Sequence, residues 1–374
     1  MIGPTHKLRK TVAQRKGKVK IPTLSLFTGG GGLDLGFAAA GYLINVALDI
    51  DPYSCRTLER NADKQDFFHK TKIINDDLTK IPTKEIAKYL NNDFKEIGAI
   101  IGGPPCQAFS VFGRREGLND PRGNLIWEYL RIINELRPKV FVLENVAGLK
   151  TIHNGELYVN LLEMLSCGKE YTVSDHNYEV AEFGIPQFRR RIFFIGVKKG
   201  KRIPPMTPTH GEFGSLFSTK PYVTVGQVLR NMPEPNEVHN LPNHKGRVHS
   251  KRIITRYRNL AFGERDSKTR INKLDPNRPS YTIIVGSDKG GGKGHVHPYS
   301  PREVTPRESA RLQTFPDWWE FEGSGRHVIR QVGNAVPPLF AALLASHIKK
   351  YAYEIKEKSS LEIFINLMGL DYLK

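Results

Sequence analysis

The sequence predicts an α/β protein with its chemistry at the carboxyl ends of parallel strands, and three stretches carry that prediction. Thr23 to Thr28 (TLSLFT) is a short strand that runs into Gly29, Gly30, Gly31 and Gly32, then a helix from about Leu33 to Ala40. Strand, glycine turn and helix open a nucleotide-binding βαβ unit. The glycines let backbone N–H groups approach a ligand, and the helix N-terminus favours negative charge. A second strand, Ile44 to Leu48, closes in Asp49, Ile50 and Asp51, where an acid commonly takes ribose hydroxyls. The third stretch, Ile100 to Ser110 (IIGGPPCQAFS), follows an apolar run from Gly98 and breaks at two glycines and two prolines. Pro104 and Pro105 fix their own φ and restrict the residue before them, so Cys106 is presented on a stiff loop at a strand end. A lone cysteine is more often a small buried hydrophobe. Here Gln107, Ser110 and the flanking turn residues favour a presented nucleophile.

The composition sets bounds on these readings. With 374 residues the chain can bury a large core and form two domains, or one domain with an insertion. Cys55, Cys106 and Cys167 are odd in number and form no CxxC pair, which argues against a disulfide framework or a zinc site and for a reducing compartment. No apolar run is expected to reach the ~18 residues of a membrane helix, and no signal-type apolar core opens the chain, so a cytoplasmic protein is expected. The net charge is +18, and Lys198 to Arg302 holds twenty Lys and Arg against seven Asp and Glu. Cationic excess gathered into one segment points to a polyanion, with nucleic acid the leading candidate.

The remaining elements follow in order. Residues 1–20 form a basic arm without apolar periodicity. The fingerprint GxGxxG fails, because its third glycine would fall on Asp34 or Leu35; this counts against NAD. Asp51 suits the N-cap of a helix from Pro52 to Asn61, which leaves Asp49 free for a ribose. Lys72 to Ile74 is a third strand ending in Asn75, Asp76, Asp77 and Leu78. After the cysteine loop, Asp120 to Leu125 turns into a helix through Leu136. Val140 to Leu143 is another buried strand, closed by Glu144 and Asn145 at the sheet edge that carries Cys106. Gln187, Arg189 and Arg191 alternate ahead of a strand reaching Val197, so they share one side if that piece is extended.

Taken together these motifs resemble the DNA cytosine-5 methyltransferases, in order from end to end. The glycine turn, GPPCQ around Cys106, Glu144-Asn145-Val146 and the QxRxR run from Gln187 to Arg191 match the family's motifs. So do RESARLQTFPD (Arg307 to Asp317) and QVGNAVPP (Gln331 to Pro338). The resemblance implies a Rossmann-like S-adenosylmethionine-dependent methyltransferase domain with an inserted, smaller target-recognition domain. Its pieces would be the arm 1–20, a catalytic part 21–197, the insert 198–325 and a C-terminal segment 326–374 that completes the catalytic domain. A helix from about Pro338 to Glu357 would return to pack beside the domain that holds the first strand.

The resemblance also assigns roles. Cys106 would be the nucleophile and Glu144 the partner of ring nitrogen 3, with Arg189 and Arg191 supplying positive charge. S-adenosyl-L-methionine would lie against Phe27, the backbone of Gly29, Gly30, Gly31 and Gly32, Asp49 with Ile50, Asp77 with Leu78, and Pro105. Leu125, Asn334 and Val336 would close its pocket. An aspartate at position 49, where the family more often has glutamate, shortens that reach. The implied partner is double-stranded DNA, with a restriction endonuclease sharing the site and no direct contact; a monomer and no membrane are expected. Tyr257, Tyr281, His295 and His297 interleave with the insert's charges and favour a nucleic-acid surface over a linker. A tRNA cytosine-5 methyltransferase is the alternative, disfavoured by the large basic insert. A decayed, non-catalytic DNA-binding protein would have lost one of Cys106, Glu144, Arg191 or Asn334, and all four are present.

Overall fold

The computed structural model describes residues 20–64, 67–90, 97–105, 124–212, 220–283 and 294–374. Cys106 and the basic arm lie outside these residues. In chain order the body comprises β1 (Ile21–Leu26), α1 (Gly32–Ala39), β2 (Tyr42–Asp49), α2 (Pro52–Ala62), β3 (Lys72–Asn75) and α3 (Thr83–Ala87). It continues through β4 (Ala99–Gly102), α4 (Asn124–Leu136), β5 (Val140–Val146), α5 (Glu156–Leu165), β6 (Tyr171–Glu179) and β7 (Arg190–Lys198).

These seven strands form one sheet in the order β3-β2-β1-β4-β5-β7-β6. The first five are mutually parallel, and β7 runs antiparallel between β5 and β6. Every residue of β1 is buried, as a strand covered on both faces requires. One face is covered by α4 and α5 through Ile126, Tyr129, Ile133 and Leu161, and the other by α1 and the C-terminal helices. Strand order reverses between β1 and β4, so their carboxyl ends part and leave the crevice in which such sheets bind ligands.

The strands run further than the sequence suggests. Glu144 and Asn145 do not close β5; they sit within it, because β7 pairs along it as far as Val146↔Arg191. Hydrogen bonding to a neighbour from later in the chain keeps this polar end extended. Asp51 caps α2 as expected, accepting from the Tyr53 N–H at 3.1 Å.

The segment after β7 holds the two-stranded β8 (His210–Gly211) and β9 (Lys220–Pro221), then α6 (Val225–Leu229), α7 (Lys251–Asn259) and α8 (Pro306–Leu312). Tyr257, Ile271 and Val296 form a small core of their own there. Of the four interleaved aromatics, Tyr257, His295 and His297 are buried and only Tyr281 is exposed, so three of them pack the segment and do not face a partner.

The chain ends in α9 (Gly325–Asn334), α10 (Pro338–Ala352) and α11 (Leu361–Met368). As expected, α10 returns to the start of the chain and packs on α1, but it stops at Ala352, short of Glu357. The contact is close: a Cβ on Gly36 would stand 2.3 Å from Ala341 Cβ and 2.5 Å from the Pro338 carbonyl. Gly325–Ala352 together is long and apolar enough to span a membrane, which amends the expectation of no such run. The stretch is mostly buried and breaks between α9 and α10, so here it is core.

Candidate active site

A cavity of about 1070 Å³ opens at the carboxyl ends of β1 to β5, with the end of α9 as its far wall. Its floor is the turn after β1. Phe27 holds a left-handed φ of 56°, a strained conformation for a bulky residue of the kind that collects at functional sites. Gly29 follows with a φ of 55°, and its N–H donates to Asp49 Oδ2 at 2.7 Å. A Cβ on Gly32 would come within 2.3 Å of the Val336 carbonyl, so the glycine lets the QVGNAVPP stretch close over the turn. Gly30 and Gly31 do not line the cavity. They are taken up by packing, Gly30 against Gln331 and Gly31 against Leu58 and Trp319.

Asp49 reaches the cavity from the end of β2, but it is not free, contrary to the expectation from sequence. Its second oxygen accepts from the Asp51 N–H at 2.8 Å. Burial raises its pKa, and those two backbone N–H groups oppose the rise. The carboxylate therefore joins two loops, and its remaining lone pairs are what a ligand could use. Ile50 beside it is 66% exposed, an apolar surface left bare at a cavity wall. Asp77 and Leu78 line the third side, with Thr79 donating to Asp77 Oδ1 through both its N–H and its hydroxyl. Leu125, Asn334 and Val336 also line the cavity.

Pro105, the residue before Cys106, lies on the rim; Pro104 is anchored by Asn145 Nδ2, which donates to its carbonyl at 3.2 Å. Glu144 projects from β5 into the same cavity, its Oε1 2.9 Å from Arg191 Nε on the neighbouring β7. Burial raises the Glu144 pKa, with Arg191 and then Arg189 pulling it back. Gly103 leaves room for the carboxyl, since a Cβ there would lie 2.9 Å from Glu144 Oε2.

The three alternating residues of QxRxR part company. Arg189 and Arg191 reach the cavity, whereas Gln187 is buried away from it, donating to Gln313 Oε1 at 2.9 Å. Arg189, just before β7, donates to the Gly333 carbonyl at 2.9 Å and ties the entry to that strand to the end of α9. Burial, then the like charge of Arg191, draws its pKa down to about 9, which leaves it cationic at neutral pH.

Several cavity residues carry no mark in the sequence. Asp34, which there only spoils a fingerprint, is fully buried and accepts the Thr28 hydroxyl at 2.7 Å. Burial raises its pKa to about 6. Arg330 enters from α9 and pairs with Asp51 at 3.0 Å. No local pattern singles out Arg330, which is brought in from 279 residues away by the return of the C-terminus.

A doubly wound sheet with a glycine cradle, an acid ending β2 and a buried Glu–Arg pair on one cavity defines an α/β enzyme. The chain belongs to the C-5 cytosine-specific DNA methylase family, whose model matches residues 21–350. It is 37% identical over 352 residues to the type II methyltransferase M.NgoFVII of Neisseria gonorrhoeae, covering 90% of this chain and 89% of that one. The type II methyltransferase M1.HphI of Haemophilus parahaemolyticus is 33% identical over 339 residues, covering 87% and 86%. Among solved structures, an E. coli prophage protein described as a DNA modification methyltransferase aligns with a TM-score of 0.71 at 28% identity, covering 90% and 100%. The S. pombe Dnmt2 methyltransferase shares the fold, with a TM-score of 0.59 at 17% identity over 88% and 99%. The enzyme is thus a DNA cytosine-5 methyltransferase, and the tRNA alternative is not favoured.

Proposed function

We propose that this enzyme methylates carbon 5 of a cytosine within a specific double-stranded DNA sequence, through a covalent adduct of Cys106 with a flipped-out base. It would thereby protect that sequence from a restriction endonuclease. The supporting observation is that the Glu144–Arg191 pair, 2.9 Å apart, stands on the cavity that Pro105, Asp49 and the glycine turn also line.

Carbon 5 of cytosine is a poor nucleophile until the ring's conjugation is broken, and thiolate addition at carbon 6 breaks it. Cys106, directly after Pro105, supplies the thiolate. Arg189 and Arg191 contribute the positive charge that favours its ionised form. Glu144, held toward its protonated form by burial, gives ring nitrogen 3 a proton or a hydrogen bond as charge develops there. Arg191 fixes the carboxyl in place. Once carbon 5 carries the methyl group, its proton passes to a base, the bond from carbon 6 to Cys106 breaks to release the thiolate, and nitrogen 3 returns its proton to Glu144, which restores the enzyme.

The cavity fits S-adenosyl-L-methionine, which when bound supplies an electrophilic methyl group. Phe27, Gly29 and Gly32, Asp49 with Ile50, Asp77 with Leu78, Pro105, Leu125, Asn334 and Val336 would hold it. Residues 198–325 would carry target recognition, and 326–374 would complete the catalytic domain of a cytoplasmic monomer.

The test uses DNA carrying 5-fluorocytosine, whose fluorine cannot leave as a proton does. Wild-type enzyme should form a denaturant-stable adduct and Cys106→Ala none. Cys106→Ala should still bind S-adenosylmethionine, and turnover persisting in it would sink the mechanism.

A further inference from the structure

Charge in the recognition segment is concentrated further than its average shows. Between Lys245 and Lys273 there are ten Lys and Arg against two Asp and Glu, so 29 residues hold nearly half of the net +18. At the centre is α7, KRIITRYRN. Its inner side is settled: Tyr257 is buried in the small core, with Ile253 and Leu260 packed against it. Some of the cations serve the fold. Arg256 pairs with buried Asp266, and Arg247 lies 3.4 Å from Glu303. Lys273 Nζ donates to the Leu260 carbonyl at 2.9 Å, closing the end of the helix.

The cations on the outer side of α7 do not. Lys251, Arg252 and Arg258 make no ion pair among the described residues, and with Thr255 and Asn259 they are exposed. Positions 251, 255 and 258 follow i, i+4, i+7 spacing on one face. Lys268 and Arg270 are exposed on the following turn, as is Arg265, whose Nε donates to the Arg270 carbonyl at 2.8 Å. Lys251 and Arg252 occupy the first turn, which has no acidic residue, where a helix dipole disfavours cations. Arg258, in the last turn, suits the dipole, but Lys251 and Arg252 do not, and none of the three has an ion-pair partner among the described residues, so the use of this face lies outside the fold.

The patch is also joined to the active site. Ser280 to Ile283 runs beside the QxRxR stretch: the Phe188 N–H donates to the Ser280 carbonyl at 2.8 Å and Thr282 Oγ1 to the Phe188 carbonyl at 2.7 Å. Between those residues, Tyr281 donates its hydroxyl to the Gly263 carbonyl at 3.4 Å, just beyond α7. A short path, through the Tyr281 hydroxyl and then backbone bonds at Ser280 and Phe188, therefore leads from the patch to Arg189.

We infer that the exposed face of α7, with the turn 265–270, grips the phosphate backbone of the DNA duplex and sets affinity, leaving base choice to other parts of the segment. The inference rests on the assignment of residues 198–325 to DNA recognition. Phosphate contacts position a protein without reading sequence, and each cation engaged steepens salt dependence by about 0.9 in the log–log slope.

The experiment compares wild type with the triple variant Lys251→Gln, Arg252→Gln, Arg258→Gln, titrating target and non-target duplexes over a range of salt. The slope should fall by about 2–3. Both duplexes should weaken by the same factor, leaving the preference between them unchanged. Removing the same charge at Lys350, Lys356 and Lys358 should leave the slope alone. A charge-keeping exchange (Lys251→Arg, Arg252→Lys, Arg258→Lys) should retain the wild-type slope and shows whether charge or folding is being read. An unchanged slope in the glutamine variant, or a lost preference between duplexes, would overturn the inference. Absence of DNA binding by the wild type would instead overturn the parent assignment.

Discussion

At the scale of single residues, the buried acids decide how the site responds to pH. Asp34 has a pKa near 6 in the folded protein, against 3.8 as the unperturbed value. The native state therefore holds a proton more tightly than the unfolded chain does. Stability falls as pH rises above 3.8 and levels off once Asp34 ionises in the folded protein, above about 6. A difference of that size between folded and unfolded states corresponds to at most about 3 kcal/mol. Denaturant titrations should show Asp34→Asn gaining stability relative to wild type between pH 4 and 7, with no further gain above. A difference independent of pH would place the proton elsewhere. Asp49→Ala should weaken S-adenosylmethionine binding by ~1.5–3 kcal/mol, the range for a charge-assisted hydrogen bond, as read by titration calorimetry. The Asp49 position is legible from the acid-ended strand. Its engagement with Gly29 and Asp51 is not, because both N–H donors are backbone groups on which sequence is silent.

Among the elements, β5 and β7 show where pattern reading stops. Val140 to Leu143 is plain as an apolar run, but the run ends before the strand does. What extends β5 is β7, and that pairing also brings Glu144 and Arg191 together. Glu144→Gln should lower the rate of methyl transfer and flatten the alkaline fall-off expected as the acid ionises. A rate–pH profile in single turnover reads this directly, and an unaltered profile would assign the proton to another group. The α1–α10 contact gives a second test. Alanine at position 36 would gain up to ~1 kcal/mol of helix propensity. Overpacking against Ala341 and the Pro338 carbonyl costs typically ~1–3 kcal/mol and should win. Gly36→Ala should therefore lower the urea midpoint without changing the slope of the transition.

For the molecule as a whole, the order of motifs is enough to name the class, because each motif falls where a strand or a helix begins or ends. The sheet order and the walls of the cavity are less accessible. Arg330, Asn334 and Val336 reach the site only because the chain folds back on its own beginning. Arg330 and its partner Asp51 stand 279 positions apart, and no window of sequence contains both. Residues 198–325, proposed to carry recognition, stand out in the sequence by charge; their aromatic residues mislead, since Tyr257, His295 and His297 are core. Exchanging residues 198–325 for the corresponding stretch of a relative with another target should move the methylation site with it, as read by bisulfite sequencing. An active chimera that keeps the old site would refute that assignment.

The return of α10 to α1 has a bearing on when the enzyme becomes active in a cell. Tyr42 bonds to the carbonyl of Ala345, 303 positions later. On a ribosome the glycine turn emerges first and waits for its lid. Synthesis at roughly 5–20 residues per second separates the two by tens of seconds. Throughout that interval the nascent chain lacks the wall formed by Asn334 and Val336, so the cavity cannot close until those residues have emerged. A message cut short before that point would give a product whose cavity lacks one wall, and on the proposed reading such a fragment would neither hold the methyl donor nor mark DNA.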